Sequence, residues 1–350
     1  MSSSNKNMKT ITLGSTGITT PQNAFGALPV QRADRQSAVR LLQRAYEGGI
    51  TFFDTARAYS DSEEKIGAAL SDVRKNIFIA TKTMAQNTEQ MKSQLETSLK
   101  MLRTDYIDIY QFHCAGKCYK PDDGTGMYEL MEDFKRQGMI RHIGITAHKI
   151  GIAEEIIESG LYETLQFPFS YLSSERELAL SDKCREKNMG FIAMKALAGG
   201  IITNSRTACA FIGQYGNVLP IWGIQRESEL EEWLSYMNDT PEMTDDIRAE
   251  IERDKKQLGG NFCRGCGYCM PCPKGIQINN CARMSLMLRR APSDNWLSEE
   301  WQHNMKQTES CINCGQCKSK CPYELDTPAL LRENYADYVK VLAGEVDVRS

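Results

Sequence analysis

The sequence has few features that would set it apart from ordinary globular proteins. No apolar run approaches the roughly 18 residues that a membrane span requires, so we expect no membrane segment. The start, MSSSNKNMKTITLG, lacks the apolar stretch of a secretory signal, which favours a cytoplasmic protein. A net charge of −3 means that the chain has no excess of basic residues, so it does not indicate binding to nucleic acid or to an acidic membrane. With 41% hydrophobic and 25% charged residues, intrinsic disorder is also excluded.

Cysteine is the residue that the chain has in excess. Four of the 13 cysteines are scattered over the first 260 residues, and the other nine lie between Cys263 and Cys321. In a chain that is not expected to be exported, so many cysteines indicate metal chemistry rather than disulfides. The uneven distribution predicts two domains, with a boundary in the stretch KKQLGGN.

Two similar cysteine runs occur in the second part, CRGCGYCMPCP from Cys263 and CINCGQCKSKCP from Cys311. The second has the spacing C-x2-C-x2-C-x3-C-P, which is typical of bacterial 4Fe–4S ferredoxins. The first is one residue shorter before its last cysteine. Two-residue spacers let three thiolates from one loop reach the same cluster, so we predict two 4Fe–4S clusters.

The cysteines can be divided between the two clusters. In two-cluster ferredoxins the fourth cysteine of each run ligates the other cluster. We therefore assign one cluster to Cys263, Cys266, Cys269 and Cys321, and the other to Cys311, Cys314, Cys317 and Cys272. Two structural zinc sites are the alternative, but cysteines at two-residue spacing are crowded for separate tetrahedra. Cys281 is expected to be a buried apolar residue rather than a ligand.

In the first 240 residues, short apolar strands alternate with amphipathic helices. Eight such units in about 230 residues favour a closed (β/α)8 barrel over an open doubly wound sheet. No G-x-G-x-x-G follows a strand, so a Rossmann dinucleotide site is not indicated. The segment ITLGSTGITT predicts a hairpin at the bottom of the barrel. The predicted fold is an α/β protein with three parts. They are the (β/α)8 barrel (1–240), a helical linker (241–258) and a small, mostly α-helical ferredoxin-like domain (259–350).

Four proton-active side chains follow three successive predicted strands. Asp54 and Tyr59 come after the second strand, Lys82 after the third and His113 after the fourth. Because active sites of such barrels lie at the carboxyl ends of the strands, these residues are expected to meet. A cation held by a carboxylate could lower the pKa of the tyrosine, and a histidine could orient a carbonyl. Each residue alone suits a structural role, but together they favour carbonyl reduction.

The segments GGITFFDTARAYSDSEEKIGAAL, IATKT, YIDIYQFH and FIAMKALAGG resemble the aldo-keto reductase superfamily, in a branch with a C-terminal iron–sulfur domain. CGYCMPCP is similar to that branch as well. The resemblance implies a catalytic tetrad of Asp54, Tyr59, Lys82 and His113, with Tyr59 as proton donor. It also implies that a nicotinamide delivers hydride and binds extended across the barrel mouth.

The expected nicotinamide contacts depart from the pattern of that family. The usual Ser-Asn is here Thr146-Ala147, the stacking aromatic is replaced by Met194, and Lys195 replaces a serine. Gln166 matches the glutamine that binds the carboxamide. The predicted contacts are Thr146, Gln166, Met194, Lys195, Gly223 and Arg226. These changes leave the choice between NADPH and NADH open.

Three functions remain open at this point. The first is a nicotinamide-dependent reductase of a small carbonyl substrate, with clusters that stabilise the tail or dock a redox partner. The second is a reductase fed with single electrons by a ferredoxin-like partner, with Tyr59 and Lys82 supplying protons only. A flavin could mediate between the two electron modes, although no motif supports one. The third is a non-enzymatic electron-transfer module.

Cys114 and Cys118 follow His113 at the predicted barrel mouth. They could form a redox-active pair, bind a metal with His142 or His148, or remain ordinary thiols.

Overall fold

The structure is a computed structural model that describes residues 9–258, 262–290, 293–321, 323–346 and 348. The predicted boundary stretch KKQLGGN therefore runs beyond the described residues at its end. The chain divides into two compact units. The first contains Met1–Ala196 and Arg206–Thr244, and the second contains Leu197–Ser205 and Asp245–Ser350. Within the described ranges, no helix is both long and apolar enough to cross a membrane.

The first unit is a closed barrel of eight parallel strands that pair in chain order, the last strand also pairing with the first. The strands of the barrel are β3 (Ala24–Gly26), β4 (Phe52–Asp54), β5 (Phe78–Thr83), β6 (Ile107–Phe112), β7 (Ile140–Thr146), β8 (Thr164–Pro168), β9 (Gly190–Met194) and β10 (Val218–Gly223). The predicted (β/α)8 barrel is confirmed.

Helices follow the strands as the amphipathic patterns predict. They are α1 (Arg35–Glu47), α2 (Ser62–Leu70), α3 (Thr88–Leu102), α4 (Met127–Arg136), α5 (Ile150–Ser159), α6 (Glu175–Glu186), α7 (Ser205–Ile212) and α8 (Glu227–Asn238), with short 3₁₀ helices at Pro29–Arg32 and Ser71–Asn76. Capping side chains determine where several of these helices begin. The side chain of Asp34 caps α1, that of Asn87 caps α3, and Ser174 forms a capping box with Glu177 at α6.

A hairpin closes the bottom of the barrel, as predicted. Strands β1 (Thr10–Thr12) and β2 (Thr19–Pro21) pair antiparallel. Leu13, between them, is fully buried and belongs to a cluster with Phe52, Ile192 and other strand residues. Because the bottom is filled by these apolar side chains, the opposite rim, formed by the carboxyl ends of the strands, is left for polar residues.

The second unit is mostly helical, in agreement with the sequence. Its helices are α9 (Asp245–Leu258), α10 (Ile278–Cys281), α11 (Met284–Arg290), α12 (Ser293–Trp296), α13 (Glu299–Lys306), a 3₁₀ helix at Gln307–Ser310, α14 (Gln316–Ser319) and α15 (Thr327–Leu342). Their core includes Ile276, Met284 and Leu288, and Cys281 is completely buried in it, as expected. The cysteine runs are mostly irregular, with Cys317 on the short helix α14, and Cys263, Cys269 and Cys317 pack among the buried residues of this core.

Candidate active site and cysteine-lined cavities

The centre of the barrel mouth is a buried ion pair. Asp54 ends β4 and Lys82 lies near the end of β5, so adjacent parallel strands bring the two side chains together. Lys82 Nζ lies 2.6 and 2.7 Å from the two carboxylate oxygens of Asp54 and donates to the Thr55 carbonyl at 2.6 Å. Both side chains are nearly inaccessible to solvent. Three donor contacts at these distances hold the ammonium in one place.

Burial acts on both partners of this pair. It lowers the pKa of Lys82, while the Asp54 carboxylate opposes that shift. It also raises the pKa of Asp54, against the attraction of Lys82. Each charge is therefore tolerated in the barrel because the other is present, and loss of either should be costly.

We expect Lys82→Met to lower the free energy of unfolding by about 3–5 kcal/mol, because it leaves the Asp54 carboxylate buried without its partner. The double variant Asp54→Leu/Lys82→Met should recover most of this loss, since two apolar side chains need no partner. Urea unfolding followed by circular dichroism measures both. If the losses of unfolding free energy in Lys82→Met and in Asp54→Leu simply add in the double variant, Asp54 and Lys82 are not coupled as described.

Tyr59 and His113 complete the predicted group. Their rings are 5.6 Å apart, edge to face, and Lys82 Nζ lies 5.3 Å from the centre of the Tyr59 ring. The structure thus brings Asp54, Tyr59, Lys82 and His113 to one rim of the barrel. The expected lowering of the tyrosine pKa is not found. Burial and then the Asp54 charge raise the pKa of Tyr59.

His113 is neutral near neutral pH. Burial, assisted by the charge of Lys82, lowers its pKa to about 3. Its Nδ1 is buried and has no hydrogen-bond partner within the described part of the chain. A neutral imidazole has one N–H group, which can donate a hydrogen bond to a carbonyl oxygen.

The His113 pKa has a consequence for stability. The pKa of His113 is lower in the folded chain than in the unfolded chain, where it is about 6.5, so at pH values between these two pKa values the unfolded chain binds more protons. The contribution of His113 to the unfolding free energy is therefore complete above pH 6.5 and is lost as the pH falls towards 3. Between about pH 7 and pH 5, wild type should lose about 2 kcal/mol more unfolding free energy than His113→Asn. Urea titrations at the two pH values test this, and equal losses would contradict a buried neutral His113.

A glutamine that the sequence analysis did not single out joins this group. Gln111 Nε2 donates to Gln166 Oε1 at 3.0 Å, and Gln166 Nε2 is 3.5 Å from Asp54. Gly144 on β7 makes room for it, since a Cβ there would come within 2.8 Å of Gln111 Cγ and 2.4 Å of the Thr164 hydroxyl oxygen. The signal was a lone amide in the otherwise mostly apolar strand YIDIYQF.

A second set of polar residues supports the loop that carries Tyr59. The buried Glu63 carboxylate accepts from the Thr81 hydroxyl at 2.6 Å and forms an ion pair with Arg57. Thr81 precedes Lys82 on β5, so this contact ties the start of α2 to the strand. Sequence reasoning missed Glu63 because paired acids at a helix start usually face solvent.

The predicted nicotinamide contacts occupy two kinds of environment. Thr146 and Gln166 are buried neighbours on β7 and β8, and the Thr146 hydroxyl accepts from the Cys114 amide at 2.5 Å. Met194 ends β9 half-buried, and Lys195 follows it with a φ of 55°. The remaining two lie at the end of β10 and beyond, where Gly223 and Arg226 are both exposed. The Arg226 guanidinium is already bound to Glu229, at 2.6 and 2.9 Å.

The two mouth cysteines do not form a disulfide. Neither Cys114 nor Cys118 is joined to another cysteine. His142 lies near the amino end of β7 and contacts Glu163 at 2.7 Å, so it is remote from the carboxyl rim. Across the described ranges, no group of three or more His, Cys, Asp or Glu is arranged to hold a metal ion.

The eight predicted cluster ligands line two cavities in the second unit. One is lined by Cys263, Cys266, Cys269 and Cys321, among other residues. The other is lined by Cys269, Cys272, Cys311, Cys314 and Cys317, among other residues. Each predicted set of four ligands therefore shares a cavity, and Cys269 lines both cavities.

Within the described residues these cysteines, like the rest of the chain, form no group of three or more His, Cys, Asp or Glu arranged around a single metal ion. The fit to a cluster therefore rests on the two cavities that the cysteines line.

Residues 10–212 match the Aldo/keto reductase family, which is more than half of the chain. The chain belongs to the aldo/keto reductase family. Residues 262–326 match a second model, the 4Fe-4S dicluster domain. The chain therefore combines an aldo/keto reductase domain with a segment that matches a 4Fe-4S dicluster domain, as the resemblance implied.

Among curated relatives, the chain is 28% identical over 198 residues to the aldo-keto reductase YhdN of Bacillus subtilis, which covers 53% of this chain and 59% of the relative. It is 30% identical over 167 residues to the methylglyoxal reductase DkgA of Escherichia coli K12, which covers 46% of this chain and 58% of that protein. The chain thus spans less than two thirds of the length of these relatives.

Solved structures share the fold. The aldo-keto reductase AKR11C1 from Bacillus halodurans in its holo form aligns with a TM-score of 0.61 at 20% identity, over 71% of this chain and 96% of that chain. An aldo-keto reductase from Klebsiella pneumoniae in complex with NADPH aligns with a TM-score of 0.60 at 21% identity, over 71% of this chain and 95% of that one.

Proposed function

We propose that the barrel reduces an aldehyde or ketone to an alcohol, with hydride from NADPH or NADH and a proton from Tyr59. The observation that carries this proposal is the placement of Tyr59 beside His113 and the buried Asp54–Lys82 pair at one rim of the barrel. We place the activity in the cytoplasm, and the proposed partner molecule is a small carbonyl compound.

The roles of the four side chains follow from their charge states. Tyr59 keeps its proton because burial raises its pKa, so it is present as a donor when a substrate binds. A carbonyl oxygen becomes a strong base as hydride reaches its carbon, and it then takes the phenolic proton. Lys82, fixed by Asp54, lies close enough to stabilise the tyrosinate that remains. The neutral His113 donates a hydrogen bond that orients the carbonyl.

A bound nicotinamide would supply the hydride. Thr146 and Gln166 are proposed to hold its carboxamide, Met194 to lie against its ring, and Lys195, Gly223 and Arg226 to contact the rest of the molecule. Two buried polar atoms at this rim, Gln111 Oε1 and His113 Nδ1, have no hydrogen-bond partner among the described residues, which fits a polar ligand. The NADPH complex of the relative from Klebsiella pneumoniae favours NADPH.

The second domain is proposed to hold two 4Fe–4S clusters, which accept and release single electrons. The two cysteine-lined cavities support this number, and each contains all four cysteines of one crossed ligand set. The cysteine loops suit thiolate ligation because Gly265, Gly267 and Gly315 adopt positive φ angles of 65–80°.

The test is anaerobic turnover of the purified holoprotein with methylglyoxal, the substrate named for relatives such as DkgA. We expect NADPH to be oxidised in step with alcohol formation while the cluster absorbance stays constant. Dithionite-reduced protein without nicotinamide should form no product. Bleaching of the clusters by NADPH, or turnover with dithionite alone, would instead favour the reductase that is fed with single electrons.

A further inference from the structure

A segment that follows the barrel strand β9 belongs to the second unit. This segment, Leu197–Ser205, groups with the residues from Asp245 onwards, whereas Lys195, just before it, belongs to the barrel unit. Ile201 and Ile202 in the segment are almost completely buried. The chain therefore runs directly from a proposed nicotinamide contact, Lys195, into a packed part of the iron–sulfur unit. We call Leu197–Ser205 the β9–α7 segment.

The backbone from Lys195 into this segment has an uncommon conformation. Lys195, Ala198, Gly199 and Gly200 have positive φ angles of 55°, 49°, 74° and 93°. Residues other than glycine rarely adopt such angles, and they keep them where the surrounding structure holds the chain in place. Because these four residues form one short run, the conformation at Lys195 is coupled to the contacts that hold the residues after it.

Arg283 joins the β9–α7 segment to the first cysteine run. Its Nη1 donates to the Gly199 carbonyl at 2.7 Å. The same guanidinium lies against Gly265, where an added Cβ would come within 2.5 Å of Arg283 Cζ. A Cβ on Gly199 would come within 2.7 Å of the Arg264 carbonyl oxygen. The two glycines thus allow a close approach of segment, guanidinium and cysteine run that side chains would prevent.

The residues contacted in the first run lie between two predicted cluster ligands. Arg264 and Gly265 separate Cys263 from Cys266, and the Gly265 amide lies 3.4 Å from Cys263 Sγ. Arg264 also lines the cavity shared by the first ligand set, Cys263, Cys266, Cys269 and Cys321. Among the described residues, the cavity that contains Cys314 is lined by other parts of the chain. The contacts of the β9–α7 segment therefore concern one of the two proposed clusters.

We propose that Arg283 is a positioning residue for nicotinamide binding, and that this binding depends through it on the cluster ligated by the first set. Ligation of Cys263 and Cys266 fixes the loop between them, which holds Arg283 against Gly199 and thereby fixes the run that begins at Lys195. Without that cluster the loop is released and the run loses its support. The inference rests on the proposed nicotinamide and 4Fe–4S sites, and it concerns the presence of the cluster rather than its redox state.

The experiment compares loss of each cluster in full-length, anaerobically purified protein. Isothermal titration calorimetry measures NADPH binding, and hydrogen–deuterium exchange with mass spectrometry follows peptides that cover residues 195–204. Cys266→Ser removes the first cluster, so we expect it to weaken NADPH binding about tenfold, because binding must then also order this run. The same variant should speed exchange in these peptides. Cys314→Ser removes the other cluster and should leave both quantities within twofold of wild type.

Arginine variants test the link itself while both clusters stay in place. Arg283→Met should keep about eight iron atoms, raise KM for NADPH about tenfold and change kcat less than twofold, because the catalytic tetrad follows other strands. Arg283→Lys should recover part of the affinity, since its ammonium can still donate to the Gly199 carbonyl. The matched control is Arg289→Met, which makes the same change in charge and removes an ion pair with Asp337 at 2.6 Å. Its KM should equal that of wild type.

Three results would overturn the inference. The first is wild-type NADPH affinity and exchange in Cys266→Ser. The second is an equal loss of affinity in Cys266→Ser and Cys314→Ser, which would reflect general destabilisation of the second unit. The third is an unchanged KM in Arg283→Met. Wild-type protein that binds no NADPH would contradict the proposed function instead, and the exchange of residues 195–204 would still decide whether Arg283 and the cluster hold this run.

Discussion

Replacement of Tyr59 by phenylalanine is expected to lower kcat for carbonyl reduction by about 10²–10⁴-fold, the usual contribution of a general acid. The hydroxyl is the group at this rim that can give a proton to the carbonyl oxygen while Lys82 stabilises the charge left behind. His113 cannot take over, because its pKa of about 3 keeps it neutral and therefore a poor acid near pH 7. Anaerobic steady-state kinetics with NADPH and methylglyoxal measures the loss.

The substitution should leave the rest of the site intact. Phenylalanine keeps the ring that lies 5.6 Å from His113 and 5.3 Å from Lys82 Nζ, so nicotinamide affinity should change less than threefold. The matched control is Tyr162→Phe, which removes a buried hydroxyl that donates to the Tyr119 carbonyl at 2.7 Å. Its kcat should stay near that of wild type. Similar rates in the two variants would contradict the role of Tyr59.

The second large effect concerns the clusters. Holoprotein should contain about eight iron atoms per chain, and the single variants Cys266→Ser and Cys314→Ser should each contain about four. Removing one of four thiolates leaves an iron without its ligand, so that cluster is lost while the other stays. Colorimetric iron analysis and electron paramagnetic resonance of the dithionite-reduced protein report the count and the identity of the cluster.

Pairs of variants test the crossed assignment. Cys266→Ser/Cys321→Ser should keep about four iron atoms, because both residues line one cavity, whereas Cys266→Ser/Cys272→Ser should keep none. If ligation is not crossed, the two results exchange. Cys281→Ala is the control, since this thiol is buried in the apolar core and should cost no iron.

The barrel was predictable because its signal is local and repeated. Apolar strands such as YIDIYQF, followed by amphipathic helices, recur eight times, and parallel packing then places every carboxyl end at one rim. Asp54 and Lys82 stand at such ends, so their meeting followed from topology. The cysteine spacing was equally informative, because ligand geometry restricts it.

Other parts of the site depend on contacts that no local pattern records. The pKa of Tyr59 is raised by its burial and by the charge of Asp54, and both depend on how the barrel packs around the ring. Gln111 is tied to the site through Gln166, on a strand 55 residues away in sequence. Residues 197–205 group with the second unit although they lie inside the first in sequence, which a contiguous boundary cannot describe.

The most direct test of the central claim is label transfer in the barrel. Anaerobic holoprotein is given NADPH deuterated at the transferred position of the nicotinamide, with methylglyoxal in ordinary water, and the alcohol is analysed by mass spectrometry. Direct hydride transfer beside Tyr59 predicts one deuterium on the former carbonyl carbon of each product molecule. A product without deuterium would show that the hydrogen on this carbon did not come directly from NADPH, which would contradict the account.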